Sequence, residues 1–318
     1  MVEEFVRVLV WSRRLSDPLA WIVVTAFLAG AVLEQTDRDG ARRVTVVGWL
    51  LFAVFWFSLI HYYLVVSKSA IEGIGCIVAV PACVYTGYLL SQGRDSLFVL
   101  SRAVGAMGLV FLPFEAIPLL TTALIETVTH QTEFVMGVFG QTAPADFRVV
   151  SGTVVGRPDR RSTFLFVDDT GHRLTYTIRI ACTGLGSMAI FGGLIGAVRA
   201  PLSRKLRALA VSIPVIYVLN LIRNTFIGLT FGQQRLHVAP DLVLGLFSAT
   251  DPYKVSYFLA DRVLAQSLSV LVLIVITWFV IRELPAVLVV IEDLMYLFTG
   301  TDYDLQSIVA GGDSTHTE

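Results

Sequence analysis

The stretch Ala181-Cys182-Thr183-Gly184-Leu185-Gly186-Ser187 stands at a change of regime in this chain. Before it, His172–Ile180 alternates with the period of a strand that has one wet face. Arg173, Thr175, Thr177 and Arg179 are polar, while Leu174, Tyr176, Ile178 and Ile180 are apolar. After it, Thr183–Val198 is apolar and glycine-rich, as a membrane helix is. Extended backbone cannot face lipid unpaired, so the strand side belongs in water and Cys182 at the membrane edge. The junction therefore predicts an all-α polytopic membrane protein with a small extracytoplasmic β-like insert placed just before a helix that carries chemistry.

The composition agrees. The chain has 318 residues, 55% hydrophobic and only 15% charged, against about 25% charge in a soluble domain. Its net charge of −1 gives no reason to expect nucleic acid. Upstream of the insert, Pro18–Leu33, Val44–Val66 and Gly73–Gly93 are nearly free of charge, and a fourth apolar run begins near Leu97. Pro113, Glu115 and Pro118 interrupt it, so residues 116–140 read as an amphipathic segment at the surface. The first apolar run lacks a small-residue cleavage site and is followed by acidic residues, unlike a cleavable leader. In the insert, Phe147–Val155 and Ser162–Val167 are strand-like, and Asp168-Asp169-Thr170-Gly171 supplies a turn.

Downstream, Arg199, Arg204, Lys205 and Arg207 form the densest positive cluster between two apolar runs, which puts that loop in the cytoplasm. Leu209–Phe231 then runs outward and Val255–Ile281 returns. This places Cys182, Arg223 and Arg262 at the outer leaflet. The same count puts residues 1–17 outside, where Arg7, Arg13 and Arg14 fit poorly; an interfacial segment at Phe5–Trp11 or one more span removes the conflict. About seven spans, within a range of six to eight, are expected. The divisions are 1–125 for the N-terminal membrane helices, 126–180 for the insert, 181–284 for the catalytic helices, and 285–318 for a cytoplasmic helix and disordered tail.

Arginine within a membrane helix is costly and marks function. Asn220, Arg223 and Asn224 share about a 100° arc of one helix, and Arg262, Gln266 and Ser269 have the spacing of a second polar stripe. A cysteine at a helix N-terminus beside cations is a candidate thiolate, its pKa lowered from ~8.5. Cys76 and Cys83 lie in one apolar run and read as packing. No His/Cys/Asp/Glu grouping has metal-ligand spacing. Gly186-Ser187-Met188-Ala189 lacks the closing glycine of a serine-hydrolase elbow.

The Ala-Cys-Thr-Gly block followed by Gly-Ser, then Arg223-Asn224, then Ala260-Asp261-Arg262, resembles the exosortase/archaeosortase family over roughly residues 20–285. In many bacterial members the third catalytic position is histidine; here Arg262 stands there, as in the archaeosortase branch. The resemblance implies a membrane cysteine transpeptidase, multi-pass in the cell membrane, with its active site outside. Cys182 would be the nucleophile and Arg223 and Arg262 its catalytic partners. Thr183, Ser187, Asn220, Asn224, Asp261 and Gln266 would be supporting or substrate-facing residues. The substrates would be exported proteins, surface-layer glycoproteins among them, bearing a Pro-Gly-Phe motif, a hydrophobic helix and a basic tail. A membrane phospholipid would accept the new C-terminus, and no cofactor or metal is implied. Arginine cannot act as a base, so His172, His237, Tyr253, Tyr257 or water must carry protons. The competing readings are a transporter or channel whose buried arginines bind an anion, and a scaffold whose insert binds a partner. The chain shows no internal repeat of the transporter kind.

Overall fold

A computed structural model describes residues 15–66, 70–139, 147–151, 160–167 and 171–307. The segment expected at Phe5–Trp11 and the turn expected at Asp168–Thr170 lie outside them. The chain is a mostly helical, polytopic membrane protein. Among the described residues six helices are long and apolar enough to cross a bilayer. These are α1 (Ser16–Leu33), α2 (Arg38–Val66), α3 (Ala70–Ser91, apolar from Glu72), α4 (Leu97–Ala116), α7 (Leu202–Gly232) and α9 (Lys254–Glu283). Between and after them lie α5 (Pro118–Phe139), α6 (Leu185–Ala197), α8 (Pro240–Leu246) and α10 (Leu288–Thr299).

The boundaries follow local chemistry. The Asp37 carboxylate accepts from Gly40 N at 2.9 Å and caps the start of α2, satisfying a donor the helix cannot. Pro118 ends the helical path of α4 and opens α5, its missing N–H costing nothing at a first turn. The 13 residues of α6 rise only about 20 Å, short of a hydrocarbon core of ~30 Å. The long apolar segment expected at Thr183–Val198 is thus shorter as a helix, because Thr183 closes the 3₁₀ turn at Ile180–Cys182 and Gly184 is left-handed, so helix begins only at Leu185.

The structure divides into two compact units, one of Met1–Leu112, Ala189–Leu209 and Ile281–Glu318, the other of Pro113–Met188 and Ala210–Val280. In the first, Phe27 packs against Trp49 at 5.1 Å, and the Trp49 indole donates to Ser101 at 2.9 Å, so the buried indole N–H is paired. The acidic pair in α10 is partnered from inside the unit, with Asp293 bonded through Oδ1 alone among the described residues. Buried Asp293 accepts from Arg94 (3.0 Å) and Ser96 (2.7 Å), and Glu292 accepts from the N–H groups of Leu305 and Gln306. Cys76 and Cys83 are free and buried.

The second unit holds a three-stranded antiparallel sheet in the order β1 (Phe147–Ser151), β2 (Arg161–Val167), β3 (Arg173–Thr177). Its register pairs Phe164 with Tyr176 and Thr163 with Thr177. The alternation read in the sequence holds here: Leu174, Tyr176 and Ile178 are buried, Arg173 and Thr175 exposed. These apolar residues join Phe164 and Phe166 on Ile125, Val128 and Met136 of α5 and on Ile227 and Phe231 of α7. Amphipathic α5 braces the sheet, with Arg161 N on Glu126 (3.0 Å) and Arg160 on Thr122 (2.9 Å). Gly232 lies where a Cβ would strike the Phe166 ring, so α7 approaches the sheet there because that position is bare, and a Cβ at Gly228 would displace the flexible end of Met136.

Candidate active site

All of the site lies in the second unit. Strand β3 ends at Thr177, Ile178 N donates to Ser162 O at 2.7 Å, and the chain then tightens into the 3₁₀ turn. Cys182 N donates to Arg179 O (2.8 Å) and Thr183 N to Ile180 O (3.1 Å). Thr183 is fully buried; its hydroxyl donates to Ile180 O (2.6 Å) and accepts from Leu185 N (3.3 Å), capping α6. Its side chain is committed to local structure. Gly184 takes φ +77°, the left-handed region open to glycine. Cys182, half-buried, rests against the core beneath the sheet.

Helix α7 brings Asn220, Arg223 and Asn224 to one side, as their spacing requires. Asn220 Nδ2 and Asn224 Nδ2 each donate to the Cys182 main-chain oxygen at 2.7 Å. Asn224 is fully buried, and its Oδ1 accepts from the Tyr176 hydroxyl at 3.4 Å. Burial pushes the Tyr176 phenol well above its ordinary range, so the hydroxyl remains a donor.

Arg223 Nη2 donates to Asp261 Oδ1 at 2.6 Å. On the other carboxylate oxygen, Arg262 Nε stands at 3.7 Å, and Tyr257 lies within electrostatic reach of this carboxylate. Asp261 is thus the shared counter-ion of the two arginines. Asp261 and Arg262 both lie where α9 is π-wound, over Phe258–Ala265, a winding rare in itself and frequent at functional sites. The wider turn also breaks the expected stripe: Arg262 goes to Asp261 and Ser269 to the wall of a groove, while Gln266, half-buried, is on neither. The groove, about 310 Å³, lies between α7 and α9 with apolar walls such as Ile216, Leu219 and Leu268, and with Ser187, Asn220 and Arg223 on its lining.

Electrostatics at the thiol run opposite to the expectation of an acidic cysteine. Burial pushes the Cys182 thiol up; the Arg179 backbone contact and the Arg223 charge pull it down, and Asp261 pushes it up again. Cys182 also precedes the first residue of α6 by three positions, so it stands outside the helix turn whose N–H groups would favour a thiolate.

Of the residues singled out in the sequence, the structure gathers Cys182, Asn220, Arg223, Asn224 and Asp261 through direct bonds or charge, with Arg262 on Asp261. Ser187 joins the groove. Tyr176 was missed as a site residue, because in the sequence it is one apolar member of a strand alternation. Of the proton-carrier candidates, Tyr257 is within electrostatic reach of the carboxylate, His172 is stacked on Tyr253 at 4.1 Å, and His237 is exposed.

Comparison with known proteins bears on this geometry. A family model described as transmembrane exosortase matches residues 11–251. An archaeosortase A of Haloferax volcanii is 48% identical over 303 residues, covering 92% of this chain and 97% of that protein. An archaeosortase A of Natronomonas pharaonis is 42% identical over 296 residues, 91% of each chain. No solved structure matches the chain.

Proposed function

We propose, from the premise that this chain belongs to the transmembrane exosortase family, that it is a membrane cysteine protease and transpeptidase of exported proteins. Cys182 attacks the carbonyl of a peptide bond near a Pro-Gly-Phe motif in a C-terminal signal made of that motif, a hydrophobic helix and a basic tail. The C–N bond breaks, the amine leaves with a proton, and the carbonyl carbon remains on sulfur as a thioester. A membrane lipid nucleophile then takes the acyl group and returns the thiol. Splitting one difficult acyl transfer into two steps is what a covalent nucleophile contributes. The reaction takes place on the extracytoplasmic side, where the β insert meets the membrane.

The observation that supports this reading best is one set of contacts. The nucleophile's own peptide is held by α7, and α7 presents Arg223 to Asp261, which Arg262 shares. Guanidinium donors cannot remove the thiol proton, but they can stabilise an oxyanion. Loss of one such donor typically costs ~10²–10³ in rate. The transporter reading is weakened by the same contacts, since both arginines already face a carboxylate.

The test is processing of a substrate bearing the tripartite signal, in membranes containing wild type or Cys182→Ala. Wild type is expected to release the C-terminal fragment, and Cys182→Ala to accumulate normally but leave the substrate intact. Substantial processing by Cys182→Ala would remove the nucleophile assignment.

A further inference from the structure

We propose that Asn220 and Asn224 are positioning residues that clamp the Cys182 peptide and so fix the thiol relative to Arg223. The inference rests on Cys182 being the nucleophile. A carbonyl oxygen has two lone pairs, and here each is met by an amide N–H at 2.7 Å. Both donors come from one helix face, four residues apart, with Arg223 between them. The preceding N–H, that of Cys182 itself, is tied to Arg179 O at 2.8 Å. Both flanks of the cysteine are therefore pinned, and only its side chain is left to turn.

Three further features make this a built arrangement. Asn224 is fully buried, so its amide has no water to turn toward. Tyr176 holds its Oδ1 end at 3.4 Å, which leaves the NH₂ end for the carbonyl and fixes the orientation of the amide. Gly184, two residues past the cysteine, comes so close to Asn220 that a Cβ would lie 3.2 Å from that side chain's Cβ and Cγ. The left-handed glycine lets the chain pass the clamp and start α6. The carbonyl belongs to the nucleophile and not to a substrate, so neither asparagine touches reacting atoms. Their effect is transmitted through the Cys182 main chain, and a displacement of about 1 Å at a nucleophile can cost ~10² in rate.

A merely structural pair would lower the amount of folded protein and leave turnover per folded molecule unchanged. A clamp makes a different set of changes. The full chain is assayed in membranes as Asn220→Ala, Asn224→Ala and the double variant, with a tripartite-signal substrate and with an uncharged alkylating reagent. Each single variant keeps one donor and is expected to lose about three- to tenfold in kcat, the usual range for one neutral hydrogen bond. The double variant is expected to lose more than either single variant, on the order of a hundredfold, with KM unchanged and alkylation of Cys182 altered. Should the double variant fail to accumulate, Asn224→Asp keeps the size of the side chain and sets an acceptor against the carbonyl; it is expected to lose at least as much kcat as Asn224→Ala. Wild-type kcat in any folded double variant or in Asn224→Asp overturns the clamp, as does a loss carried by KM alone. Those results leave the nucleophile assignment intact if Cys182→Ala is inactive, so the two proposals fail separately.

Discussion

Asp261→Asn is the most discriminating single substitution, because the structure makes it act on thiol and arginines in opposite directions. Asp261 accepts from Arg223 at 2.6 Å and neutralises part of the field of both guanidinium groups. Its side chain is 14% exposed and that of Arg223 27%, so the pair is partly desolvated. A hydrogen bond to a charged group is worth about 1.5–3 kcal/mol, and each 1.4 kcal/mol is tenfold in rate. If Asp261 holds Arg223 in working position, its loss should lower processing about ten- to a hundredfold. At the thiol the sign is reversed. Asp261 is one of the charges that raise the Cys182 pKa, and removing it should make the thiol more acidic and speed its alkylation at neutral pH. The assay measures both quantities on the same membrane preparation: second-order alkylation of Cys182 by a neutral reagent, and release of the C-terminal fragment. Faster alkylation with slower processing is the expected outcome. If processing rose together with alkylation, Asp261 would be a brake on the arginines and the positioning argument would be wrong. If neither changed, the contact would have no part in the reaction.

Other predictions follow from the same geometry. The Cys182 thiol is raised by burial, so its thiolate fraction should still be climbing above the ordinary value of ~8.5; a plateau in alkylation rate below pH 8 would contradict that electrostatic account. Thr175 and Ser203, both exposed, test the sidedness: in a Cys182→Ala background an impermeant maleimide on intact cells should label Thr175→Cys, and reach Ser203→Cys only after permeabilisation, with the reverse pattern inverting the topology. Tyr257 is within electrostatic reach of Asp261, and if it is the acid that protonates the leaving amine, Tyr257→Phe should slow amine release by about 10²–10⁴, the range for a positioned acid. Unchanged fragment release would exclude Tyr257 and return the proton-carrier role to His172, His237, Tyr253 or water.

Much of this site is legible in the sequence, and what escapes has physical causes. The strand-to-helix junction around Cys182 shows because β alternation and unbroken apolarity are the two strongest periodic signals a chain carries. The polar arc Asn220–Arg223–Asn224 shows because α7 is regularly α-helical there and 3.6-residue spacing can be counted. The stripe Arg262–Gln266–Ser269 does not survive, because π winding at Phe258–Ala265 changes the residues per turn and no residue type announces it. The bond from Tyr176 to Asn224 is likewise unreadable, since it joins positions 48 residues apart through a hydroxyl on an apolar ring. The sign of the Cys182 shift is invisible for a related reason. Sequence shows the nearby arginines, but burial and the opposing carboxylate are products of packing.

On the proposed mechanism, these electrostatics locate where the arginines act. A resting thiol held up by desolvation is mostly neutral at physiological pH, so the guanidinium groups are not spent in keeping a thiolate. Two arginines against one aspartate leave the cluster one positive charge in excess among the described residues. Negative charge arises only when sulfur attacks, first on the sulfur and then on the carbonyl oxygen of the tetrahedral intermediate. An excess charge waiting in a poorly solvated site stabilises that oxyanion more than it stabilises any ground state, and differential stabilisation is the only kind that raises kcat. The same arrangement keeps a nucleophilic cysteine at the edge of the membrane unreactive until a peptide carbonyl lies against it.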